Sequence, residues 1–301
     1  MTSSIPYNFD MPNAKFSDRP PYRGLFVNLD RSVARRTLME AQLKKFNLQD
    51  RYSRFSAIDG QTLTGPPGAI SASENACFQS HYRALESAKL SRRIVHILED
   101  DVIFAPQMEQ VIDSLDSSGL FDSFDLIFTH TFIGCELLLL RKFKELFDFY
   151  QQNRPPRLAV LDVKDDYRCI FASYLVPTTA IDKVLSVLHR GIDAGPNLPI
   201  DLFVGQEAKK GRLRLGCIFP FITSVQIGDI GGTTITDRGK DTEITREIIS
   251  LLQYSFFLGR DLKNIPPALL SKLHAFDDDE HHKLITAVLG FVISSDDFIA
   301  L

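Results

Sequence analysis

Three consecutive carboxylates, Glu99, Asp100 and Asp101, stand between two apolar runs in VHILEDDVIF (95–104). Adjacent acids in a confined space raise one another's pKa unless a cation neutralises them. Hard divalent ions such as Mg2+ and Mn2+ take carboxylate and phosphate oxygens together. The triplet therefore has the chemistry of a metal site that grips a diphosphate. A lone Asp-Asp pair reads more simply as a solvated turn. The apolar RIVHIL in front and VIF behind weigh against that, because they predict a buried strand whose end lies at the carboxyl edge of a sheet. Ligands of open α/β sheets bind outside that edge.

Composition narrows the partners. The chain has 301 residues, 44% hydrophobic and 24% charged, as in an ordinary globular protein. Its 34 basic and 38 acidic residues give a net charge of −4, which supplies no basic field for nucleic acid. Cys77, Cys135, Cys169 and Cys217 are scattered singly, so buried reduced thiols are the simpler expectation than structural zinc or disulfides. The N-terminal MTSSIPYNFDMPNAKFSDRPPYRG has no apolar core and predicts no signal peptide. LITAVLGFVI (284–293) is too short to span a bilayer. The expectation is a cytoplasmic protein, with peripheral contact at the inner face of a membrane left open.

The elements that must hold the acids follow from periodicity. Residues 1–22 are polar, carry four prolines and predict a flexible N-terminal arm. RGLFVNLD (23–30) predicts a first strand, followed by a helix capped by Ser32 and running to about Leu48. RYSRFSAIDG (51–60) predicts a short strand closed by Asp59-Gly60. Ala72 to Leu90 predicts a helix with Cys77, His81, Ala84, Leu85 and Ala88 facing inward. Further strands are expected at 94–104, 124–133, 173–177 and in RLRLGCIFPFITS. Helices are expected at 107–116, 178–190 and 199–211, and residues 136–151 fit either type. Strands alternating with helices predict an α/β fold with a mixed, mostly parallel sheet flanked by helices. Residues 23–240 would form that domain, and 241–301 a helical C-terminal extension.

The ordered set FVNLDRSVARRTLMEAQLKKF, FSAIDG, ENACFQSHYRALE and ILEDDVIF resembles glycosyltransferase family 25, the lipopolysaccharide-biosynthesis and collagen galactosyltransferase type. The likeness is strong over roughly residues 23–105 and continues weakly, through SYLVPTTAIDKVL and PIDLF, to about residue 220. The resemblance implies a Rossmann-like GT-A fold, a UDP-hexose donor such as UDP-galactose, inverting chemistry and a glycan or glycolipid acceptor. It implies a DxD-like acidic motif holding Mn2+ or Mg2+ on the donor diphosphate. Asp101 and Asp100 are then the expected ligands, with Glu99 orienting the turn. The nucleotide would lie against Asn28 and Asp30, near Arg31, Arg35 and Arg36, since guanidinium groups pair with phosphate. Asp59 and Gly60 would meet ribose or uracil. Ser80, His81 and Arg83, in SHYRALE, would line the donor site.

Inversion at the anomeric carbon needs a base for the acceptor hydroxyl, and Asp201 in PIDLF is the candidate. An acid in a first helical turn is also favoured simply by the macrodipole. Two departures from the family pattern stand out. No histidine lies between residues 190 and 273 to serve as a late metal ligand, which leaves Asp229 or Asp237 as substitutes. Pro177 and Thr178 also replace an expected small Ser/Arg-Gly pattern on the acceptor side. The cluster DDDEHH (277–282) is expected to be solvated, and GDIGGTT (228–234) a loop covering the donor. Competing expectations are a catalytically weak binding protein of the same fold, and another metal-dependent sugar-nucleotide enzyme.

Overall fold

Eight short strands join edge to edge in a single sheet, and a two-stranded ribbon closes over one end of it. The computed structural model describes residues 7–9, 22–63, 69–131, 158–164, 171–225 and 257–259. The strands are β1 (Tyr7–Phe9), β2 (Tyr22–Asn28), β3 (Tyr52–Ser56), β4 (Ile94–Glu99), β5 (Val102–Phe104), β6 (Leu126–Phe128), β7 (Leu158–Asp162), β8 (Ser173–Val176), β9 (Leu215–Phe219) and β10 (Thr223–Val225). The sheet order is β1-β7-β9-β6-β8-β4-β2-β3, with β5 and β10 pairing separately. Strand β2 lies parallel between β3 and β4, and β6 lies parallel to β9. Only β8 and β7 run against the rest, so the expected mixed, mostly parallel sheet is present.

Period-two alternation along β4 builds both faces of this sheet. Val95 and Ile97 enter one core with Leu25 and Val27 of β2. Ile94 and Leu98 enter the other, with Tyr22 and Phe26. The first core is covered by α2 (Ala72–Ala88), α4 (Ile181–Asp193) and α5 (Ile200–Lys209). The second is covered by α1 (Val33–Lys45) and α3 (Met108–Ser117). Being apolar on both faces is what a central strand between two helical layers requires.

Local chemistry sets the ends of these elements. Helix α2 begins with a capping box, in which Ser71 and Glu74 exchange backbone hydrogen bonds. Ser32 precedes α1 as expected, but its side chain makes no cap bond. Gly24 lies under the Tyr52 ring, where a Cβ would come within 2.1 Å of a ring carbon, so a larger residue would force β2 and β3 apart. A buried Asp125 at the start of β6 is held by Lys183 Nζ at 2.6 Å, Arg214 N at 2.8 Å and Arg214 Nη2 at 3.1 Å.

Several expectations change in detail. Tyr7–Phe9, within the stretch expected to be an arm, adds an antiparallel edge strand to Leu158–Val160. Of the strand expected over 124–133, the described residues form strand at Leu126–Phe128. Strand β7 had no clear signal in the sequence. Residues 132–157, Asp229, Asp237, GDIGGTT and DDDEHH lie outside the described residues. So does most of 241–301, apart from Phe257–Gly259, where Phe257 bridges to Phe221. Among the described residues no helix is long and apolar enough to cross a membrane.

Candidate active site at the carboxyl edge of the sheet

The strands β2 and β4 end side by side, at Asn28 and Glu99. The acidic turn follows Glu99 directly and is held from behind. Strand β5 pairs with β10, and Gln42 of α1 donates to Val102 O at 2.8 Å and accepts from Phe104 N at 2.9 Å. The amide of Gln42 thus completes the free edge of β5, as a neighbouring strand would. A turn anchored on both sides keeps its three carboxylates at fixed positions.

Alternation then sends the acids to different sides. Glu99 continues the Val95–Ile97 face toward α2, and Asp100 continues the Ile94–Leu98 face toward α1. Asn28 Nδ2 donates to Asp100 Oδ2 at 2.6 Å, and Arg35 Nη1 donates to Asp100 Oδ1 at 3.1 Å. Arg35 also lies 3.6 Å from Asp101 Oδ2. The cation that offsets the repulsion in this structure is therefore a guanidinium from α1. Burial raises the Asp100 carboxyl, and the bonds from Asn28 and Arg35 pull against it.

Asp101 is the less satisfied acid. Its Oδ1 is buried and has no hydrogen-bond partner among the described residues. Burial, then repulsion from Glu99 and Asp100, pushes its carboxyl up to about 7 against the pull of Arg35. An orphaned hard oxygen in a negative field fits a divalent cation. Asp100 does not offer the same vacancy, since both of its oxygens are engaged. Of the expected pair of ligands, Asp100 and Asp101, Asp101 is the one with a buried oxygen that no described group engages.

Glu99, expected to orient the turn, reaches toward α2. Its side chain is 37% exposed, against 8% for Asp100 and 20% for Asp101. Oε1 lies 3.4 Å from His81 Nε2 and 3.8 Å from Cys77 Sγ. Burial raises this carboxyl, but His81, Arg35 and the Cys77 thiol outweigh it and hold it low. His81 is fully buried, with Nδ1 3.1 Å from the Tyr174 hydroxyl. His81, expected to line the donor site, reaches the acidic turn through Glu99.

The other expected residues divide into positioning groups and bystanders. Arg54 Nε donates to Asn28 Oδ1 at 2.8 Å, and Arg54 also pairs with Asp30. That pair and Ser56 hold the Asp30 carboxyl low. Arg31 Nε lies 2.7 Å from Asp59 Oδ2, and this bond holds the Asp59 carboxyl low. Asp59 Oδ1 also accepts from Gln61 N at 3.0 Å. Gly60 is required by close approach, since a Cβ there would meet the backbone of Ala72 and Ser73 at 2.8 Å. Arg36 pairs with Glu40 on the exposed face of α1.

Ser80 and Arg83 are not brought to a donor surface. Ser80 is buried, accepts from Ile58 N at 2.9 Å and donates to Ala76 O at 2.7 Å. It is a strut between α2 and the loop after β3. Arg83 is exposed, pairs with Glu86 at 3.0 Å and lies over the Tyr82 ring. Ser80 thus faces inward with His81, while Arg83 reaches solvent. Asp201 sits in the first turn of α5, with Oδ1 accepting from Leu202 N at 2.8 Å. Helix α5 packs with α2 on the sheet face that Glu99 continues, which puts Asp201 on the Glu99 side of the turn.

Sequence reasoning missed Arg54, Gln42, Tyr174 and the role of Cys77. Arg54 had a signal in its position, two residues before the end of the strand beside β2. It also missed a buried polar chain across the sheet. Tyr52 OH lies 2.6 Å from His96 Nδ1, and His96 Nε2 lies 2.9 Å from Ser173 Oγ. Thr129 Oγ1 links Ser173 Oγ to Thr223 Oγ1, each at 2.6 Å, and Thr223 Oγ1 lies 2.8 Å from His130 Nδ1. His130 Nε2 is buried, with no hydrogen-bond partner among the described residues.

Comparison with known proteins agrees with the geometry. No curated relative matches the sequence. The family model for glycosyltransferase family 25, described as an LPS biosynthesis protein family, matches residues 23–203. The matched stretch begins one residue inside β2 and ends in α5, and so includes Asn28, Arg35, the acidic turn and Asp201. It covers more than half of the 301 residues. The chain belongs to glycosyltransferase family 25 and is a glycosyltransferase.

Proposed function

We propose that this enzyme moves a hexose, galactose by the family resemblance, from a UDP-sugar to a hydroxyl of a glycan or glycolipid acceptor, with inversion. The observation that carries this reading is the unpartnered, buried Asp101 Oδ1, set at the carboxyl edge of a family 25 fold. Asp101 would hold Mn2+ or Mg2+, which when bound supplies Lewis-acid stabilisation of the departing diphosphate. Asp100 is then a positioning residue, locked by Asn28 and Arg35 so that the turn keeps its shape. Asn28 and Arg54 fix the floor on which the nucleotide would lie.

Asp201 is the base in this reading. It stands in the first turn of α5, on the side of the acidic turn that Glu99 faces. A carboxylate there would take the proton of the acceptor hydroxyl as the new glycosidic bond forms. The Tyr174–His81–Glu99 chain would hold Glu99 in place beside the turn. Melting curves with UDP-hexoses, with and without Mn2+, test donor binding, because stabilisation grows with ligand occupancy. A rise in melting temperature that needs both components supports the reading. No shift with any UDP-hexose would overturn it.

A further inference from the structure

On the side of the acidic turn that Glu99 faces, the Cys77 thiol takes no part in the transfer chemistry. Among the described residues, a single group of three metal-competent side chains has its ligand atoms within 4.8 Å of one another: Cys77, His81 and Glu99. The triplet Glu99, Asp100 and Asp101 does not converge in this way. Cys77 and His81 are four residues apart on α2, which puts them one above the other on the same helical face. Strand β4 ends against that face and delivers Glu99 to it.

The distances suit a small tetrahedral ion. Bonds of about 2.0–2.3 Å place neighbouring ligand atoms about 3.3–3.6 Å apart. The observed separations are 3.4 Å from His81 Nε2 to Glu99 Oε1 and 3.8 Å from Cys77 Sγ to the same oxygen. The remaining pair lies within 4.8 Å, so closure needs a movement of about 1 Å. The His81 ring is already oriented. Tyr174 OH lies 3.1 Å from Nδ1, and Phe171 meets the ring edge-on at 5.3 Å. Holding the distal nitrogen in this way directs the other one at the ion. The half-exposed Glu99 leaves a route from solvent and an open fourth position.

We propose that Cys77, His81 and Glu99 form a site for a zinc-class divalent ion, on the α2 side of the acidic turn and separate from Asp101. One sulfur, one nitrogen and one oxygen donor select a borderline ion such as Zn2+ over the hard Mg2+ or Mn2+. Binding forms the sulfur–metal bond as the Cys77 thiol proton leaves to solvent. It fixes His81 with its proton on Nδ1, donated to the Tyr174 oxygen. Bound metal ties β4 to α2 at the point where Glu99 now stands free on one side.

The test uses the full chain and Co2+ as a spectroscopic substitute for Zn2+. Cobalt bound to a thiolate gives a sulfur-to-metal charge-transfer band. The band is expected with wild type and with Asp101→Asn, to be absent in Cys77→Ser, and to be bleached by one equivalent of Zn2+. Tyr174→Phe is expected to keep the band at about 10–100-fold weaker affinity. Alkylation of Cys77, followed by peptide mass spectrometry on wild type, gives a second readout that needs no variant: Zn2+ should slow it at least tenfold. Absence of the band in wild type, its persistence in Cys77→Ser, or its loss in Asp101→Asn would overturn the proposal. Unprotected Cys77 at saturating Zn2+ would do the same. None of these readouts depends on sugar transfer, so the donor reading stands or falls separately.

Discussion

Asn28 and Asp100, 72 positions apart in the chain, meet at 2.6 Å where β2 and β4 end. This one hydrogen bond ties the first strand of the fold to the acidic turn. It also keeps Asp100 from turning toward Asp101. Asn28→Ala leaves a buried carboxylate oxygen without its donor and removes the acceptor of Arg54 Nε. A loss of about 1–3 kcal/mol is expected in urea unfolding. Transfer should fall more steeply than stability, because a displaced turn misplaces Asp101 even in the folded fraction. Equal losses in both would show that Asn28 acts on folding alone.

Asp101→Asn separates stability from activity. The native carboxyl is pushed up to about 7, well above its ordinary 3.8. A raised carboxyl pKa means the native state carries a cost above pH 7 that fades as pH falls toward 4. Asparagine removes the charge, so the metal-free variant should be more stable than wild type by about 1–3 kcal/mol at pH 8, with little difference at pH 4. Its transfer activity should be lost. Thermal denaturation at the two pH values checks the sign.

Acid acts in the opposite direction through the two buried histidines. Burial pushes His96 down to about 3 and His130 down to about 4, from an ordinary 6.5. The unfolded chain then takes up protons that the native state refuses, so each ring lowers stability as pH falls below 6.5. The slope is about 1.4 kcal/mol per pH unit per histidine. Between pH 6.5 and 4, Asp101 offsets one of the two. Net destabilisation on acidification should therefore be steeper in Asp101→Asn than in wild type, by about one proton. Proton uptake on unfolding, measured by titration, checks this count.

Asp201→Asn should fold, since the asparagine oxygen can still accept from Leu202 N as the carboxylate does. A fall of about 10²–10⁴ in kcat, with donor binding retained, is expected of a general base. Arg83→Ala should leave activity unchanged and stability within about 0.5 kcal/mol, as for an exposed surface pair.

The element order was legible because the apolar runs are strong. RIVHIL, SYLV and LGCIF became β4, β8 and β9, although the strands expected over RIVHILEDDVIF and RLRLGCIFPFITS each break in two, giving β5 and β10 as a separate ribbon. Glu99, Asp100 and Asp101 were visible as a site, yet their division of labour was not. That division comes from strand alternation combined with what each face packs against, and α1 and α2 are far apart in sequence. Ser80 and Arg83 were drawn in by their nearness to His81 in the chain, whereas one is a buried strut and the other an exposed surface residue. Arg54 and Gln42 escaped notice because each works through a neighbouring strand that the sequence does not reveal. Strand β7 and the edge strand at Tyr7–Phe9 are defined by long-range pairing rather than by local pattern.

The central claim is that Asp101 holds a divalent ion on a UDP-hexose donor. Its most direct test is hexose transfer or donor hydrolysis by wild type and Asp101→Asn, each with Mn2+ and with chelator. The account predicts metal-stimulated turnover in wild type that is lost with chelator and falls at least 100-fold in Asp101→Asn, a drop of about 2.7 kcal/mol or more in transition-state stabilisation. Turnover by Asp101→Asn at the wild-type rate with Mn2+ present would contradict it.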